Sequence, residues 1–410
     1  MQTPDPANSH DQDRAAIARA AADALAEAAA TLADRPALVG FDGFVDEIIH
    51  VVDRRNSMAL EDFERIKTIP EFAARANAAA GKSANIELVP IDVRFGGNGP
   101  LMAGALGRLG QPVTYIGAVA NDPDSQVLMP LFVPFAERCR EVVPIAAPGH
   151  TDALEFEDGK LMFGKPAAVQ AVTWDRLKQM VGLDVLRARI ARARTLGIVN
   201  WTLCGGVESI WQGLIDEVLP DLAAAGQAPS VFIDLSDPAK RTDEDIARAL
   251  DMLGALNALA PVTLGLNLAE SERIARVLDA GAYADPNAPL ADSVRDASER
   301  ILRASGLDAV VVHPRQGAGA ATAEPDARGV RSAWFAGPFT ANPKLSTGAG
   351  DHFNAGFAFA QACGLHQSVG LDACLATATA VSGAYVRDAL SPDLERLVAF
   401  LRDLPAPAPQ

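Results

Sequence analysis

Several features are missing from this sequence, and each absence excludes a class of protein. Its four cysteines form no C-x-x-C pair, so we expect reduced thiols and neither a zinc site nor a disulfide framework. No apolar run reaches the length of a membrane span, and the segment MQTPDPANSHDQDR has no apolar signal region. Positive charge is scarce, since 36 Lys and Arg face 52 Asp and Glu for a net charge of −16. The reduced thiols and the missing signal region predict a cytoplasmic protein. The acidic surface disfavours nucleic acid and anionic lipid, so we expect no binding to nucleic acid or membranes.

Common catalytic and nucleotide-binding motifs are also incomplete or missing. The segments GNGPLM, GAGDHF and GAGAAT lack the third glycine of a G-x-G-x-x-G fingerprint, because Met102, Phe353 and Thr322 occupy that position. The segment GKS at 81–83 resembles the end of a P-loop, but Ala76 stands where the first glycine is required. Neither H-E-x-x-H nor G-x-S-x-G occurs. A dinucleotide fingerprint, a P-loop, a zinc protease and a serine hydrolase are therefore excluded on motif grounds.

The composition, 49% apolar and 21% charged, is that of a globular protein in which strands and helices alternate. The predicted strands are VTYIGAVA, TLGIVNW, SVFIDL, VTLGLN and AVVVH, and the predicted helices cover 175–193, 207–225, 243–259, 269–280 and 290–305. This alternation predicts an α/β fold with a doubly wound, mostly parallel sheet covered by helices on both faces. In such sheets ligands bind at the carboxyl ends of the strands.

The chain divides into a short extension and one large domain. Residues 1–35 contain one amphipathic helix, and residues 36–405 form the predicted main domain. The main domain begins with ALVGFDGFVDEIIHVV, whose apolar start predicts a buried first strand. Asp42 and Asp46 lie near the predicted end of that strand, where a carboxylate is either solvated or accepts hydrogen bonds from a ligand.

Two segments of the main domain interrupt the alternation. Residues 60–79 predict two short helices broken by Pro70. The segment ALEFEDGKLMFG at 153–164 predicts a β-hairpin around Asp158 and Gly159, a pair that tolerates a tight turn. The segment NIELVPIDVRF alternates apolar and polar residues and predicts strands with one solvated face.

The segment KLSTGAGDHFNAGF contains the most unusual turn of the sequence. Gly348, Ala349 and Gly350 precede the carboxylate of Asp351, and a stretch of helical character follows. A glycine-rich turn before a helix exposes N–H groups and the positive end of the helix dipole, which favour a bound anion. The alternative interpretation is a tight turn in which Asp351 is the N-cap residue.

Two further segments place amide and acidic side chains at helix starts. Asn98 lies at the glycine corner GGNGP, where it is either part of an ordinary helix entry or a group that binds hydroxyls. In NLAE, Asn267 and Glu270 follow a predicted strand. Their spacing fits a capping box, and the alternative is an oxygen-rich environment for Mg²⁺-bound water.

Taken in order from residue 38 to 400, these segments resemble the ribokinase-like (PfkB) carbohydrate kinase family. The resemblance rests on VDEI, GGN with LGRLG, IGAVANDPDS, NLAE, AVVVH and STGAGDHFNAGF, the last being the most specific. It implies a doubly wound α/β domain with a small β lid, whose segments would be about 82–95 and 150–170.

The resemblance implies an ATP-dependent kinase that transfers the γ-phosphoryl group to a sugar hydroxyl, with a nucleoside or a sugar phosphate as alternative acceptors. Asp351 would be the general base, and Gly348, Ala349 and Gly350 would form the anion hole. The residues implied to bind the sugar are Asp42, Asp46, Gly97 and Asn98. Those implied to bind the nucleotide are Asn267, Glu270, His313 and Thr347, and Asn267 and Glu270 would hold Mg²⁺ through water.

This sequence departs from the family pattern at two places. Leu345 stands where the family usually has an acid six residues before the base, which leaves dependence on K⁺ open. In HPRQGA, His313 and Arg315 replace a threonine and a glycine of the nucleotide-side loop. This altered loop leaves a non-catalytic sugar or nucleotide sensor as an alternative. The helical pieces at 60–79 leave a second one, an ADP-dependent sugar kinase, because such kinases carry extra helices in the lid region. The expected partners are a small-molecule sugar and a nucleotide, and a homodimer is left open.

Overall fold

The alternating apolar runs of the sequence become strands of two sheets. The computed structural model describes the backbone of residues 6–324 and 329–409, and side chains from residue 13 onward within these ranges. The strands are β1 (Ala37–Phe41), β2 (Phe44–Arg55), β3 (Phe63–Arg65), β4 (Leu88–Gly96), β5 (Val113–Gly117), β6 (Glu141–Pro144), β7 (Gly149–Glu155), β8 (Lys160–Lys165), β9 (Thr195–Val199), β10 (Ser230–Asp234), β11 (Val262–Leu266), β12 (Ala309–Val312), β13 (Gly317–Ala323) and β14 (Val330–Ala336).

The larger sheet has the order β14-β13-β12-β11-β10-β9-β1-β5-β6 in the described part of the chain. The strands from β12 to β6 are parallel, whereas β13 pairs antiparallel with both β12 and β14. All five strands predicted from the alternating pattern lie in the parallel part. Every residue of β1, β9, β11 and β12 is buried, as expected for strands covered by helices on both faces of a sheet.

Helices cover both faces of this sheet. They are α1 (Pro6–Ala28), α2 (Ile69–Ala78), α3 (Asn98–Arg108), α4 (Val133–Ala136), α5 (Trp174–Val181), α6 (Leu183–Arg192), α7 (Val207–Glu217), α8 (Leu219–Ala224), α9 (Asp243–Asn257), α10 (Leu268–Val277), α11 (Leu290–Ser305), α12 (Ala349–Ala362), α13 (Leu365–Ser368), α14 (Leu371–Asp388) and α15 (Leu394–Arg402). One buried cluster joins α1, α3, α12, α14 and α15 to the sheet, and a second joins α5 to α11 to its other face. The doubly wound fold class is therefore confirmed.

Two predicted helices are interrupted. The prediction over 175–193 becomes α5 and α6, which meet at Gly182 with a φ of 89°, a conformation that ends α5. The prediction over 207–225 becomes α7 and α8 around Val218, two residues before Pro220. Proline here starts the second helix instead of continuing the first.

The prediction of two helices broken by Pro70 is wrong. Pro70 lies in the first turn of α2, where its missing N–H group costs no helical hydrogen bond. Thr68 before it and Glu71 after it form a capping box, which explains why the helix begins there. The first predicted helical piece is instead the short strand β3.

The smaller sheet is built on β2, which the sequence pattern did not separate from β1. Strand β2 pairs antiparallel with β3 and β4 and parallel with β7, and β7 pairs with β8 in the predicted hairpin. Both expected lid segments contribute strands to this small sheet, and its movement as a lid stays a prediction. Its buried cluster is small, consisting of Ile49, Val51, Ile66, Leu154 and Phe156.

The N-terminal helix α1 belongs to the core of the large domain. Ala18, Ala21 and Leu25 are fully buried in the cluster that also contains α14 and α15. Asp23 forms an ion pair with Arg402 of α15 at 2.8 Å. The helix therefore packs on the end of the chain and covers apolar surface that would otherwise face water.

The four cysteines are free, as the sequence predicts. Cys204, Cys363 and Cys374 are buried, whereas Cys139 is half-buried. Burial raises the pKa of the Cys139 thiol to about 12 and that of Cys363 to about 11, so both are poor nucleophiles. Within residues 6–324 and 329–409, helices are too short or too polar to cross a bilayer.

Candidate functional site

Polar residues stand at the carboxyl ends of the parallel strands, where the fold brings them to one edge. They are Asp42 after β1, Asn200 after β9, Asp234 at the end of β10, Asn267 after β11 and His313 after β12. The N-terminus of α12 brings Asp351 to the same edge, because Asn98 beside Asp42 also contacts Asp351. Asp42 and Asn98, both predicted to bind the sugar, and Asp351, predicted to be the base, thus meet at the expected end of the sheet.

Asp42 is fully buried and accepts hydrogen bonds from the protein itself. Its carboxylate accepts the N–H groups of Asn98 at 2.9 Å and Gly99 at 2.7 Å, and the side-chain amide of Asn200 at 2.7 Å. Burial raises the pKa of Asp42 to about 6, although these hydrogen bonds oppose the rise. These contacts hold Asp42 against the start of α3, and its role as a sugar ligand, which the resemblance implied, stays a prediction.

Asn98 connects Asp42 to Asp351. Gly97 precedes α3 with a φ of 104°, a conformation that favours glycine, and it turns the chain so that Asn98 begins the helix. The Asn98 side-chain amide donates to a carboxylate oxygen of Asp351 at 2.8 Å. An amide placed this way orients the carboxylate without protonating it.

Asp351 lies in the first turn of α12 and is 8% exposed. The N-cap residue of α12 is Gly348, so the alternative interpretation of Asp351 as the N-cap is wrong. Burial raises the pKa of Asp351 well above its ordinary value, the charges of Asp234 and Asp42 raise it further, and the hydrogen bond from Asn98 lowers it. A buried carboxylate with a raised pKa is a stronger proton acceptor than an exposed one once it is ionised.

Sequence reasoning missed Asn200, Asp234 and Asn354. The Asn354 amide donates to Asp234 at 2.8 Å, and the opposite carboxylate oxygen of Asp234 accepts the Ser236 N–H at 2.8 Å. The side-chain oxygen of Asn354 is buried and has no hydrogen-bond partner among the described residues. Asn200 and Asp234 could have been found, because each is the first polar residue after a buried strand.

Asn267 and Glu270 form the capping box that was one of the two interpretations. The Asn267 side chain accepts the Glu270 N–H at 2.9 Å, and Glu270 accepts the Asn267 N–H at 2.8 Å. The other carboxylate oxygen of Glu270 accepts the N–H of Asp237 at 2.8 Å. Burial and the neighbouring charge of Asp234 raise the pKa of Glu270 to about 7. A carboxylate has about four acceptor positions, so two remain for water.

The chemistry of these groups fits a hydrated divalent cation. Burial raises the pKa values of Asp234, Glu270 and Asp351, and the charge of Asp234 raises those of Glu270 and Asp351 further. A nearby cation would relieve that repulsion. Across residues 13–324 and 329–409, no three His, Cys, Asp or Glu side chains converge to ligate one ion directly. The fit is therefore to an ion that keeps water in its coordination sphere, as Mg²⁺ does.

The glycine turn before α12 carries backbone N–H groups that could bind an anion. Gly348 has a φ of 86°, which a side chain would strain. Within the described residues, the N–H groups of Gly348 and Gly350 donate no hydrogen bond, whereas that of Ala349 donates to Ser346 at 3.2 Å. Two of the three predicted anion-hole donors are therefore free, and they lie at the positive end of α12.

A cavity of about 470 Å³ opens on one side of this turn. Its lining includes His313, Arg315, Phe339, Ala349, Gly350, Phe353, Thr379 and Ser382. His313 packs on Phe353 with ring centroids 4.5 Å apart, and burial lowers its pKa to about 4, so the imidazole is neutral near pH 7. Arg315 consequently supplies the positive charge in this wall.

A smaller cavity lies on the other side of the turn. Its lining includes Asp46, Arg94, Leu101, Lys160, Leu345, Thr347 and Tyr385. Asp46 belongs to β2 of the small sheet instead of the end of the first strand, and burial raises its pKa while Lys160 opposes the rise. Thr347, predicted for the nucleotide, lines this second cavity. The turn thus separates a cavity with Asp46 from one with His313.

We expect the melting temperature of the metal-free protein to fall as the pH rises from about 6.5 to about 8. Glu270 and Asp351 have raised folded pKa values, so the folded state binds their protons more tightly, and this stabilisation is lost as they ionise. The expected fall begins near pH 6.5, because below that pH His313 and His352, with folded pKa values of about 4, raise the stability as the pH rises. Thermal melts across this range will measure the slope.

The same melts offer two controls. Glu270→Gln removes one of the titrating groups and should make the slope shallower. Mg²⁺ added at the high-pH end should raise the melting temperature, because a cation that binds only the folded state stabilises it. A melting temperature that is constant or rises over this pH range in metal-free wild-type protein would contradict the raised pKa values.

The chain as a whole is similar to known proteins and to solved structures. A family model described as prokaryotic ketohexokinase matches residues 12–404. A ketohexokinase from Haloferax volcanii is 30% identical over 367 residues, which cover 88% of this chain and 90% of that protein. Among solved structures, a ribokinase from Thermotoga maritima has a TM-score of 0.57 at 16% identity, covering 90% of this chain and 99% of its own. A phosphofructokinase-2 mutant from Escherichia coli has a TM-score of 0.56 at 16% identity, with the same coverage.

Proposed function

Because the chain belongs to the prokaryotic ketohexokinase family and is a carbohydrate kinase, we propose that it transfers the γ-phosphoryl group of ATP to a hydroxyl group of a ketohexose. The ribokinase-like family inferred from the sequence is confirmed by the same findings. One observation supports the proposal for the site: the buried carboxylate of Asp351 lies beside two N–H groups that have no hydrogen-bond partner among the described residues, in a turn between two cavities.

We assign the two cavities to the two substrates. The cavity of about 470 Å³ is in the size range of small-molecule sites, and it is lined by Arg315 and the start of α12, which suit the phosphates of ATP. The cavity with Asp46 is assigned to the sugar, because a carboxylate accepts hydrogen bonds from hydroxyl groups. The acceptor hydroxyl and the γ-phosphate would then meet at the turn 348–350.

In the proposed reaction Asp351 takes the proton of the acceptor hydroxyl. The oxygen of that hydroxyl forms a bond to the γ-phosphorus while the bond from this phosphorus to the β-phosphate oxygen breaks, and ADP leaves. The N–H groups of Gly348 and Gly350 would stabilise the charge on the transferred group. Mg²⁺, held through water near Asp234, Asn267 and Glu270, would neutralise phosphate charge. Asn98 would keep Asp351 oriented toward the hydroxyl.

We place the reaction in the cytoplasm, in keeping with the four unpaired cysteines.

The direct test of the proposed activity is a matrix of phosphoryl donors and acceptors followed by detection of the phosphorylated sugar. ATP with Mg²⁺ and a ketohexose is expected to give the highest kcat/KM, above aldohexoses, nucleosides and sugar phosphates. Turnover with ADP in place of ATP would support the ADP-dependent alternative. Binding of sugar and nucleotide without any product would support a sensor.

Asp46→Ala should raise the KM for the ketohexose while leaving the KM for ATP nearly unchanged. The substitution removes a half-buried acceptor from the proposed sugar cavity, and a lost hydrogen bond to a charged group costs roughly 1–3 kcal/mol, or about 5- to 150-fold in binding. Asp53→Ala is the matched control, since Asp53 lies on the same strand β2, is exposed, and pairs with Arg75 of α2, a residue that lines neither of the two cavities. Calorimetric titration of each ligand will check the result. A loss of ATP affinity with sugar affinity retained would mean that the two cavities are assigned the wrong way round.

A further inference from the structure

Three consecutive carbonyl groups of the turn are each held by a side chain. Tyr385 donates its hydroxyl to the carbonyl of Thr347 at 2.8 Å, and Ser382 donates its hydroxyl to that of Ala349 at 2.9 Å. His352 Nδ1 lies 2.7 Å from the carbonyl oxygen of Gly348. A carbonyl oxygen only accepts, so this nitrogen carries the proton. We call Tyr385, His352 and Ser382 the carbonyl clamp.

The clamp fixes the direction of the anion-hole donors through peptide geometry. Each peptide unit is planar and trans, so a C=O group and the N–H group of the next residue point in opposite directions. Holding the carbonyls of residues 347, 348 and 349 therefore orients the N–H groups of Gly348, Ala349 and Gly350. Two of these N–H groups are the ones without a partner in the described residues.

We propose that Tyr385, His352 and Ser382 are positioning residues that preorganise the anion hole for phosphoryl transfer. The inference rests on the proposed function of the turn and adds which side chains hold it. Donors that already point at the developing charge need no reorganisation during the reaction, which is the source of their effect on rate. Glycines alone would leave the turn free to rotate, because glycine adopts both signs of φ.

Further contacts fix the position of His352 and Tyr385 in the clamp. The His352 and Tyr385 rings are stacked with centroids 3.5 Å apart and an angle of 12° between their planes. The Ser391 hydroxyl lies 2.8 Å from His352 Nε2, which accepts because Nδ1 is the protonated nitrogen. His352 is 1% exposed, and burial lowers its pKa, so the imidazole keeps this neutral form near pH 7. One tautomer therefore satisfies both of its contacts.

The clamp residues line different cavities, so an effect on the turn can be distinguished from an effect on one ligand. Tyr385 and Ser382 both lie on α14, but Tyr385 lines the cavity with Asp46 and Ser382 lines the cavity with His313. A change that acted only through one ligand cavity would raise one KM. A substitution that acted through the turn would lower kcat whichever of the two cavities the residue lines, and it would leave both KM values almost constant.

The test uses Tyr385→Phe and Ser382→Ala, which remove only the hydroxyl groups, in the full-length protein. Thr377→Ala is the matched control, because Thr377 is a buried residue of α14 whose hydroxyl bonds to Ala373 in its own helix. Each clamp variant is expected to lower kcat by about three- to tenfold, the effect of one neutral hydrogen bond, with both KM values within about twofold. The control should keep the wild-type kcat.

Amide hydrogen exchange of peptides covering 344–353, measured without ligands, is the second readout. Exchange should be faster than wild type in both clamp variants and unchanged in Thr377→Ala, because the hydroxyls of Tyr385 and Ser382 bond to this turn and that of Thr377 bonds to Ala373. Unchanged exchange in both clamp variants, or a wild-type kcat in both, overturns the clamp. A wild-type protein that phosphorylates no ketohexose overturns the proposed function instead, and the exchange data still decide whether the clamp orders the turn.

Discussion

Asp351→Asn is expected to lower kcat for the ketohexose by about 10²- to 10⁴-fold, which is the usual effect of losing a general base. The asparagine side chain has nearly the same shape, and its oxygen can still accept the amide of Asn98. It cannot take the proton of the acceptor hydroxyl. The N–H groups of Gly348 and Gly350 are unchanged, so some residual turnover should persist.

The same substitution should not destabilise the protein. Burial and the charges of Asp234 and Asp42 raise the pKa of Asp351, which means that the ionised form is unfavourable in the folded state. A neutral amide removes that cost, so the melting temperature at pH 8 should equal or exceed that of wild type. Asp393→Asn, at the N-cap of α15 away from the site, is the control for an Asp-to-Asn change in a helix start. Turnover of Asp351→Asn within a few-fold of wild type would refute the proposed mechanism.

Asp42→Ala is expected to lower the free energy of unfolding by about 2–5 kcal/mol and to abolish most of the activity. The substitution leaves the buried donors of Asn98, Gly99 and Asn200 without an acceptor, and each such group costs roughly 1–3 kcal/mol. The cost is partly offset because a buried carboxylate is removed as well. Activity should fall because Asn98 is no longer held beside Asp351.

Asp42→Asn is the matched variant for this experiment. The asparagine oxygen can replace one carboxylate oxygen, but its NH₂ group would face an N–H donor and could not accept from it. The free energy of unfolding should therefore fall less in Asp42→Asn than in Asp42→Ala. Urea unfolding of both variants, with the midpoint and the slope fitted separately, will measure the difference. If Asp42→Ala unfolds at the wild-type urea concentration and loses only sugar affinity, Asp42 is a sugar ligand and does not stabilise the start of α3.

The parallel strands were predictable because each one is a short buried run of apolar residues between helical segments. Strand β13, GAGAATA, was not, since alanine and glycine have low strand propensity and the strand is defined by its neighbours. Pro70 was misjudged for a different reason. Whether proline breaks or begins a helix depends on its position relative to the cap, and that position became clear only when Thr68 and Glu71 were seen to form a capping box.

The site was predictable where its residues are neighbours in the sequence, as in GAGD. The partners that orient those residues were not. Asn200 contacts Asp42 across 158 residues of chain, and Tyr385 reaches Thr347 across 38. Such contacts depend on how helices and strands are packed, and the local pattern around either partner carries no sign of them.

The packing of α1 against α15 brings the two ends of the described chain together. The Arg14 guanidinium donates to the carbonyl of Pro405 at 2.8 Å and to that of Ala336 at 2.7 Å. A short linker can therefore join these ends, and the chain can be reopened near Met58, which is 89% exposed. A circularly permuted protein of this kind would keep the same site, whereas a truncation that starts at residue 36 would uncover the buried face of α1's neighbours and invite aggregation.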